Sequence, residues 1–121
     1  MSVECNRIRG FTYSMPYIDL SKLENIFGDE FDDIYFSAYD TETNKVYIVN
    51  DGMNGDYTRI VCPEKIQGPY CYQDGDDSYY KVSSEECPQE IYDKMNDLYR
   101  KVYDKDLDKS KIEKAIWYHW S

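Results

Sequence analysis

The chain has 121 residues and a mass of 14.4 kDa, the size of one domain, and carries 24 acids against 14 bases for a formal net charge of −10. That balance excludes a general nucleic-acid binder, because a phosphate backbone repels such a surface. Disorder is excluded by a 41% hydrophobic and 17% aromatic content with fourteen tyrosines, and no apolar run approaches the roughly 18 residues of a membrane span.

Residues 3–13 read as a first strand, interrupted by Gly10. Ser21 to Phe27 reads as a short helix: Ser21-x-x-Glu24 fits a capping box, Leu20, Leu23, Ile26 and Phe27 form a stripe, and Gly28 stands where a C-terminal cap belongs. The period then falls to two. Asp33–Asp40 and Lys45–Asn50 flank the polar segment Thr41–Asn44, which predicts a β-hairpin. Tyr57–Cys62 reads as a third strand stopped by Pro63, residues 63–78 as loop, and Tyr79–Val82 as a last short strand. Pro88 opens a helix whose apolar face is Ile91, Met95, Leu98 and Val102. A second helix is expected from Asp108 to Trp120, with Ile112, Ala115, Ile116 and Trp120 inward and Lys109, Lys111 and Lys114 outward. The expected fold class is α+β over one domain, 1–121: an antiparallel sheet of three to five strands, a short helix near the N-terminus, and two C-terminal helices packed on one face.

Charge is unevenly spread. Residues 19–86 hold sixteen acids and five bases, a net of −11, whereas residues 87–121 hold seven of each. The expectation is an acidic sheet half, 1–86, and a charge-neutral helical hairpin, 87–121. Asp29, Glu30, Asp32 and Asp33 fall within five positions, and Asp74, Asp76 and Asp77 within four. Acidic loops are commonly no more than a solvated, soluble surface. Clustered carboxylates among tyrosines also suit docking into a basic cleft, since aligned acids imitate phosphate spacing and Tyr is a common interface anchor. On that reading the partner-binding residues are Asp29, Glu30, Asp32, Asp33, Tyr35, Tyr39, Glu42, Asp74, Asp76, Asp77 and Tyr79.

Catalytic sets are sparse. One histidine, His119, stands beside Trp117 and Trp120, and the chain has neither a phosphate-binding glycine loop nor a nucleophile elbow. Cys5, Cys62, Cys71 and Cys87 form no Cys-x-x-Cys pair and read as free thiols, not a zinc site or two disulfides. From Asp74 to Glu85 the spacing partly fits a calcium loop (Asp74, Asp76, Ser78, Tyr80, Val82, Glu85), but Tyr79 occupies the position that needs glycine. The lysines 105, 109, 111 and 114 are matched by Asp104, Asp106, Asp108 and Glu113, which describes a salt-bridged solvent face. No catalytic residue, metal site or cofactor is expected. The polar start Met1-Ser-Val-Glu-Cys, without an apolar leader, fits a cytoplasmic protein.

In size, charge segregation and lack of catalytic sets the chain resembles the small acidic inhibitors of phages and mobile elements, the anti-CRISPR and anti-restriction proteins. The likeness lies in composition over the whole chain and transfers no residue roles. It implies a non-enzymatic inhibitor that binds a basic nucleic-acid-handling protein, such as a defence nuclease, in the host cytoplasm. Two other functions suit the same residues: an immunity protein that neutralises a cognate toxin, and a protein that sequesters a small aromatic or nucleotide ligand between tyrosines. Neither direct nucleic-acid nor membrane binding is expected, and Trp117 and Trp120 leave a homodimer open.

Overall fold

The computed structural model describes residues 4–36, 42–50, 57–71, 80–83 and 85–120, leaving aside the side chains at 4–5, 68–71, 80 and 118–120. Five strands, β1 (Glu4–Met15), β2 (Tyr47–Asn50), β3 (Thr58–Cys71), β4 (Tyr80–Ser83) and β5 (Glu113–Trp120), form one antiparallel sheet in the order β2-β3-β1-β5-β4. Three helices accompany it: α1 (Leu20–Phe27), α2 (Phe31–Ile34) and α3 (Gln89–Tyr103).

The expected arrangement is therefore corrected. The C-terminal third is not a helical hairpin: only α3 is a helix, and 113–120 is a strand inserted between β1 and β4. Ile116-Trp-Tyr-His-Trp120 is dense in β-branched and aromatic side chains, and its neighbours alternate between the two sheet faces as a strand requires: Trp117 sits opposite Ile8, while Lys114 lies on the other face over Phe11. The short helix near the N-terminus is present as α1, with Gly28 as its C-cap, but it does not begin in a Ser21 capping box. It is capped by Asp19, whose carboxylate accepts from the Ser21 amide at 3.3 Å, and it runs on through a 3-10 turn, Gly28–Glu30, into α2. Gly28 turns the corner at φ +54°, a conformation L side chains rarely adopt. Asp33 and Ile34 belong to α2, so the expected hairpin strand does not begin at Asp33; among the described residues that follow, Tyr35 makes a parallel bridge to Ile48. Residues 37–41 lie outside the described residues.

β3 does not stop at Pro63. Proline cannot donate to a ladder and is tolerated at bulges, and Pro63 sits at one: the register moves from Gly10–Pro63 to Arg9–Lys65, which makes Glu64 the extra residue. Gly10 makes this possible. A Cβ there would lie 2.2 Å from the Cys62 carbonyl oxygen and 2.9 Å from the Pro63 Cα. The Pro63 carbonyl is used instead by the Asn44 amide at 2.7 Å.

The sheet buries both faces. On the helix side, Phe11, Met15, Ile48, Ile60 and Cys62 pack with Leu23 and Phe27 of α1, Met95, Leu98 and Tyr99 of α3, and Cys87 and Leu107. On the other side Ile8, Tyr47, Val49, Val61 and Trp117 form a second cluster with Phe36. After α3 a polar latch turns the chain back toward the sheet. Asn96 accepts from the Leu107 amide at 2.8 Å and donates to Asp106 at 3.1 Å, while the Tyr92 hydroxyl donates to the Leu107 carbonyl at 2.7 Å. At the other end of the helix layer, a buried polar triad fixes where α1 starts. The Ile18 amide donates to the Thr58 hydroxyl at 2.9 Å, that hydroxyl donates to the Asn50 side-chain oxygen, and the Asn50 amide group donates to the Ile18 carbonyl at 3.0 Å.

Replacing Gly10 with Ala drives a methyl group into backbone, which no rotamer change relieves. We expect Gly10→Ala to lower unfolding stability by about 2–3 kcal/mol, read as a reduced urea midpoint at unchanged slope; an unaltered midpoint would disprove the close approach.

Candidate interaction surface

The expected division into an acidic sheet half and a neutral helical half does not map onto the fold. The strands themselves carry six bases (Arg7, Arg9, Arg59, Lys65, Lys81, Lys114) and three acids (Glu4, Glu64, Glu113), a net of +3. The α3 helix holds three of each sign. By contrast the helical run 20–34 holds five acids and one base, and further acid excess lies in connecting segments.

Within that run Asp29, Asp32 and Asp33 are all exposed and sit at i, i+3 and i+4, so they share one face. Each lies in the first turn of its helical segment, where free amides favour negative charge. None has an ion-pair partner among the described residues. Glu30 differs: its carboxylate pairs with Lys101 of α3, whose ammonium also lies 6.0 Å from the centre of the Phe27 ring. Glu30 is thus a clamp between the helical run and α3, and the free acidic face is the other three.

The side facing inward is apolar. Phe31 and Tyr35, one helical turn apart, stack with ring centres 5.0 Å apart, and Tyr35 is half-buried. Burial, and secondarily the neighbouring Tyr17 hydroxyl, pushes the Tyr35 phenol above its ordinary value. Tyr17 itself is 42% exposed, and Leu20, at the start of α1, is 39% exposed. The surface is therefore three uncompensated carboxylates beside a tyrosine-rich edge.

Of the residues expected from sequence to bind a partner, the structure brings together Asp29, Glu30, Asp32, Asp33 and Tyr35. Glu42 stands apart from them: its amide donates to the hydroxyl of Tyr47 at 2.9 Å, and that ring belongs to the cluster on the opposite sheet face. Tyr39, Asp74, Asp76, Asp77 and Tyr79 lie outside the described residues, as does most of the Asp74–Glu85 spacing. Sequence reasoning missed Tyr17 and Lys101. Tyr17 joins the site through the Asn50–Thr58–Ile18 triad next to it, a contact across forty positions that no local pattern announces.

A second charged feature lies at the middle of the sheet's helix side. The Lys114 side chain, 9% exposed, donates to Glu85 at 2.7 Å, pairs with Glu64 at 3.0 Å, and lies 5.2 Å from the Phe11 ring centre. Arg9 joins Glu64 at 3.5 Å. The bonds to Glu85 and then Glu64 raise the Lys114 pKa, so this ammonium is a structural tie and no base. Next to it a shallow cavity of about 270 Å³ is lined by residues of both signs, including Glu86 and Lys109, with the buried thiol of Cys87 at its wall. Cys62 and Cys87 are free, and burial raises both thiols, that of Cys87 to about 11. At neutral pH they are protonated and poor nucleophiles. No group of His, Cys, Asp and Glu suited to hold a metal ion occurs among the described residues, and no helix there is long and apolar enough to cross a membrane.

Comparison of the chain with family models, curated proteins and solved structures returns no match.

The raised pKa values fix a pH dependence. Cys87 titrates near its ordinary 9.0 when unfolded and at about 11 when folded, so its stabilising effect is full below pH 9 and lost between 9 and 11. Lys114, also raised, fades in the same direction above its ordinary 10.5. Urea unfolding should therefore show stability constant to pH 9 and then falling, by an amount of order 2 kcal/mol from Cys87 alone. The Cys87→Ala variant should start less stable at neutral pH and lose less on going from pH 9 to 11. An equal alkaline loss in both proteins would exclude the buried thiol as its source.

Proposed function

We propose that this chain is a non-enzymatic inhibitor that docks, through the acidic face of the helical run, onto the basic surface with which another protein holds nucleic acid. The observation that supports this reading is the set Asp29, Asp32 and Asp33: exposed, on one face, and without a cation partner, while the adjacent Glu30 is paired. Three like charges within one turn repel each other in the free protein, and that repulsion turns into attraction when lysines and arginines arrive. Tyr17 and Tyr35 beside them supply side chains of the type that anchor interfaces at low entropic cost.

On this reading the protein works in the cytoplasm, that of a host cell if a phage encodes it. The partner is a defence nuclease or a toxin nuclease. Both present a basic cleft, and the captured protein's identity decides between anti-defence and immunity roles.

The test is affinity capture from host lysate at about 0.05 M salt, followed by work on the purified partner. Wild type should retain a nucleic-acid enzyme and release it as salt rises, because contacts between exposed charges are screened within about 10 Å at 0.1 M. Nucleic acid should compete with the chain for that partner. The variant Asp29→Lys, Asp32→Lys, Asp33→Lys should bind it about 100-fold more weakly or worse, with an unchanged circular dichroism spectrum. Equal affinity in the triple variant, or a partner that binds nucleic acid and this chain together, would overturn the proposal.

A further inference from the structure

Among the described residues, the helices cover one end of the sheet's helix side. Toward the Met15 end of β1, α1 and α3 pack on it through Leu23, Phe27, Met95, Leu98 and Tyr99. The seam formed by Lys114, Glu64 and Glu85 closes that core. Beyond the seam the same face continues, because Arg7 and Arg9 alternate in phase with Phe11. There it changes character. Arg9 is directly opposite Lys65 across the β1–β3 ladder, and Arg7 is opposite Gln67, whose side-chain oxygen accepts from the Arg7 guanidinium at 2.7 Å.

Arg9 and Lys65 are exposed. Like charges facing each other across a ladder are unfavourable, and here the pair is only partly relieved. Glu64 reaches Arg9 at 3.5 Å but is held closer, at 3.0 Å, by Lys114, while Lys65 has no ion pair among the described residues. Three cations on two neighbouring strands thus form a positive strip on a protein whose net charge is −10.

We infer that this strip is the docking surface for a second copy of the chain, which lays the Asp29–Asp32–Asp33 face of its helical run across Arg7, Arg9 and Lys65. Charge is the first argument: three uncompensated carboxylates and three incompletely compensated cations are present on the same molecule. Spacing is the second. Opposed residues on paired strands are about 5 Å apart and alternate residues about 7 Å along a strand, and the carboxylates sit about 5–6 Å apart on their helical face. Position is the third. The helical run is tied to α3 through Glu30–Lys101, on the side of the sheet that Met15 and Phe11 face, and the strip lies beyond the seam on that same side, with Arg9 and Lys65 exposed. A two-fold axis that sets the helical run of each copy on the strip of the other gives two identical contacts and a closed dimer.

Nucleic acid is the alternative occupant of a positive strip. It is disfavoured here because three cations are few against a −10 background. The dimer uses the same carboxylates as the proposed partner contact, so each association excludes the other, but the strip residues belong to self-association alone.

Sedimentation and light scattering at about 100 μM and 0.15 M salt should give twice the 14.4 kDa chain mass, shifting to the monomer at 1 M salt. Arg9→Glu, Lys65→Glu should be a monomer, and so should the triple Asp→Lys variant, each with a native circular dichroism spectrum. Mixed one to one, the two should form a heterodimer, since one contact keeps wild-type charges and the other has both signs reversed. Should reversal disturb folding, Lys65→Gln and Asp32→Asn should each weaken the dimer at least several-fold. A monomeric wild type, a dimer that persists in Arg9→Glu, Lys65→Glu, or a mixture that stays monomeric would overturn the inference. Mass increase only with added oligonucleotide would assign the strip to nucleic acid instead. The strip variant should still capture the inhibitor's partner, so failure here and failure of the functional reading remain separable.

Discussion

Where β1 meets β3 at Gly10, two backbones lie closer than any side chain would permit, and the layout of the helix side follows from that contact. The bulge it accommodates expels Glu64 from the regular register. Glu64 then lies between Arg9 and Lys114 and joins three neighbouring strands by charge. One side of this tie is dry and filled by Phe11, Cys62 and Cys87; the other is wet and carries Arg7, Arg9 and Lys65. A residue with a Cβ at position 10 would move the strands apart and blur that boundary.

Charge in this protein is organised by element and not by stretch of sequence. The strands are mildly positive, α3 is neutral, and the excess acid falls in the helical run 20–34 and in the sequence between the named elements. Internal pairing removes much of the field locally: Glu30 with Lys101, Glu85 and Glu64 with Lys114, Asp106 with Arg100. Of the exposed acids left without an ion pair among the described residues, Asp29, Asp32 and Asp33 share one face beside tyrosines. A face of that kind suits specificity and fast encounter more than raw affinity.

The apolar face of α3, Ile91 through Val102, was legible because amphipathic spacing and a proline start agree. The β1 strand was legible as well, though the reason for its glycine was not, since a close approach depends on a partner fifty residues away. The segment from Asp108 to Trp120 misled because Ile112, Ala115, Ile116 and Trp120 happen to satisfy helical spacing, while the aromatic density that favours a strand is weighed only by sheet neighbours. Pro63 misled in the opposite direction: read locally it ends a strand, but at a bulge its missing N–H costs nothing. The acidic cluster could be read as residues and not as a surface. That Glu30 is neutralised and its three neighbours are not follows from Lys101, seventy-one positions away.

The insertion of β5 between β1 and β4 has a consequence for how the chain is made. Residues 5 and 120 are ladder partners, so β1 waits for β5, more than a hundred residues later in the chain, before one of its edges is satisfied. Helices and the β2–β3 pairing can form during synthesis, but β1 keeps an open edge on the ribosome until translation has passed residue 120. Pairing across such a separation carries a large loop-closure entropy and slows folding. A nascent chain with an unsatisfied strand edge is open to pairing with another. The arginines at 7 and 9 give that waiting edge like charges, which hold two growing copies apart.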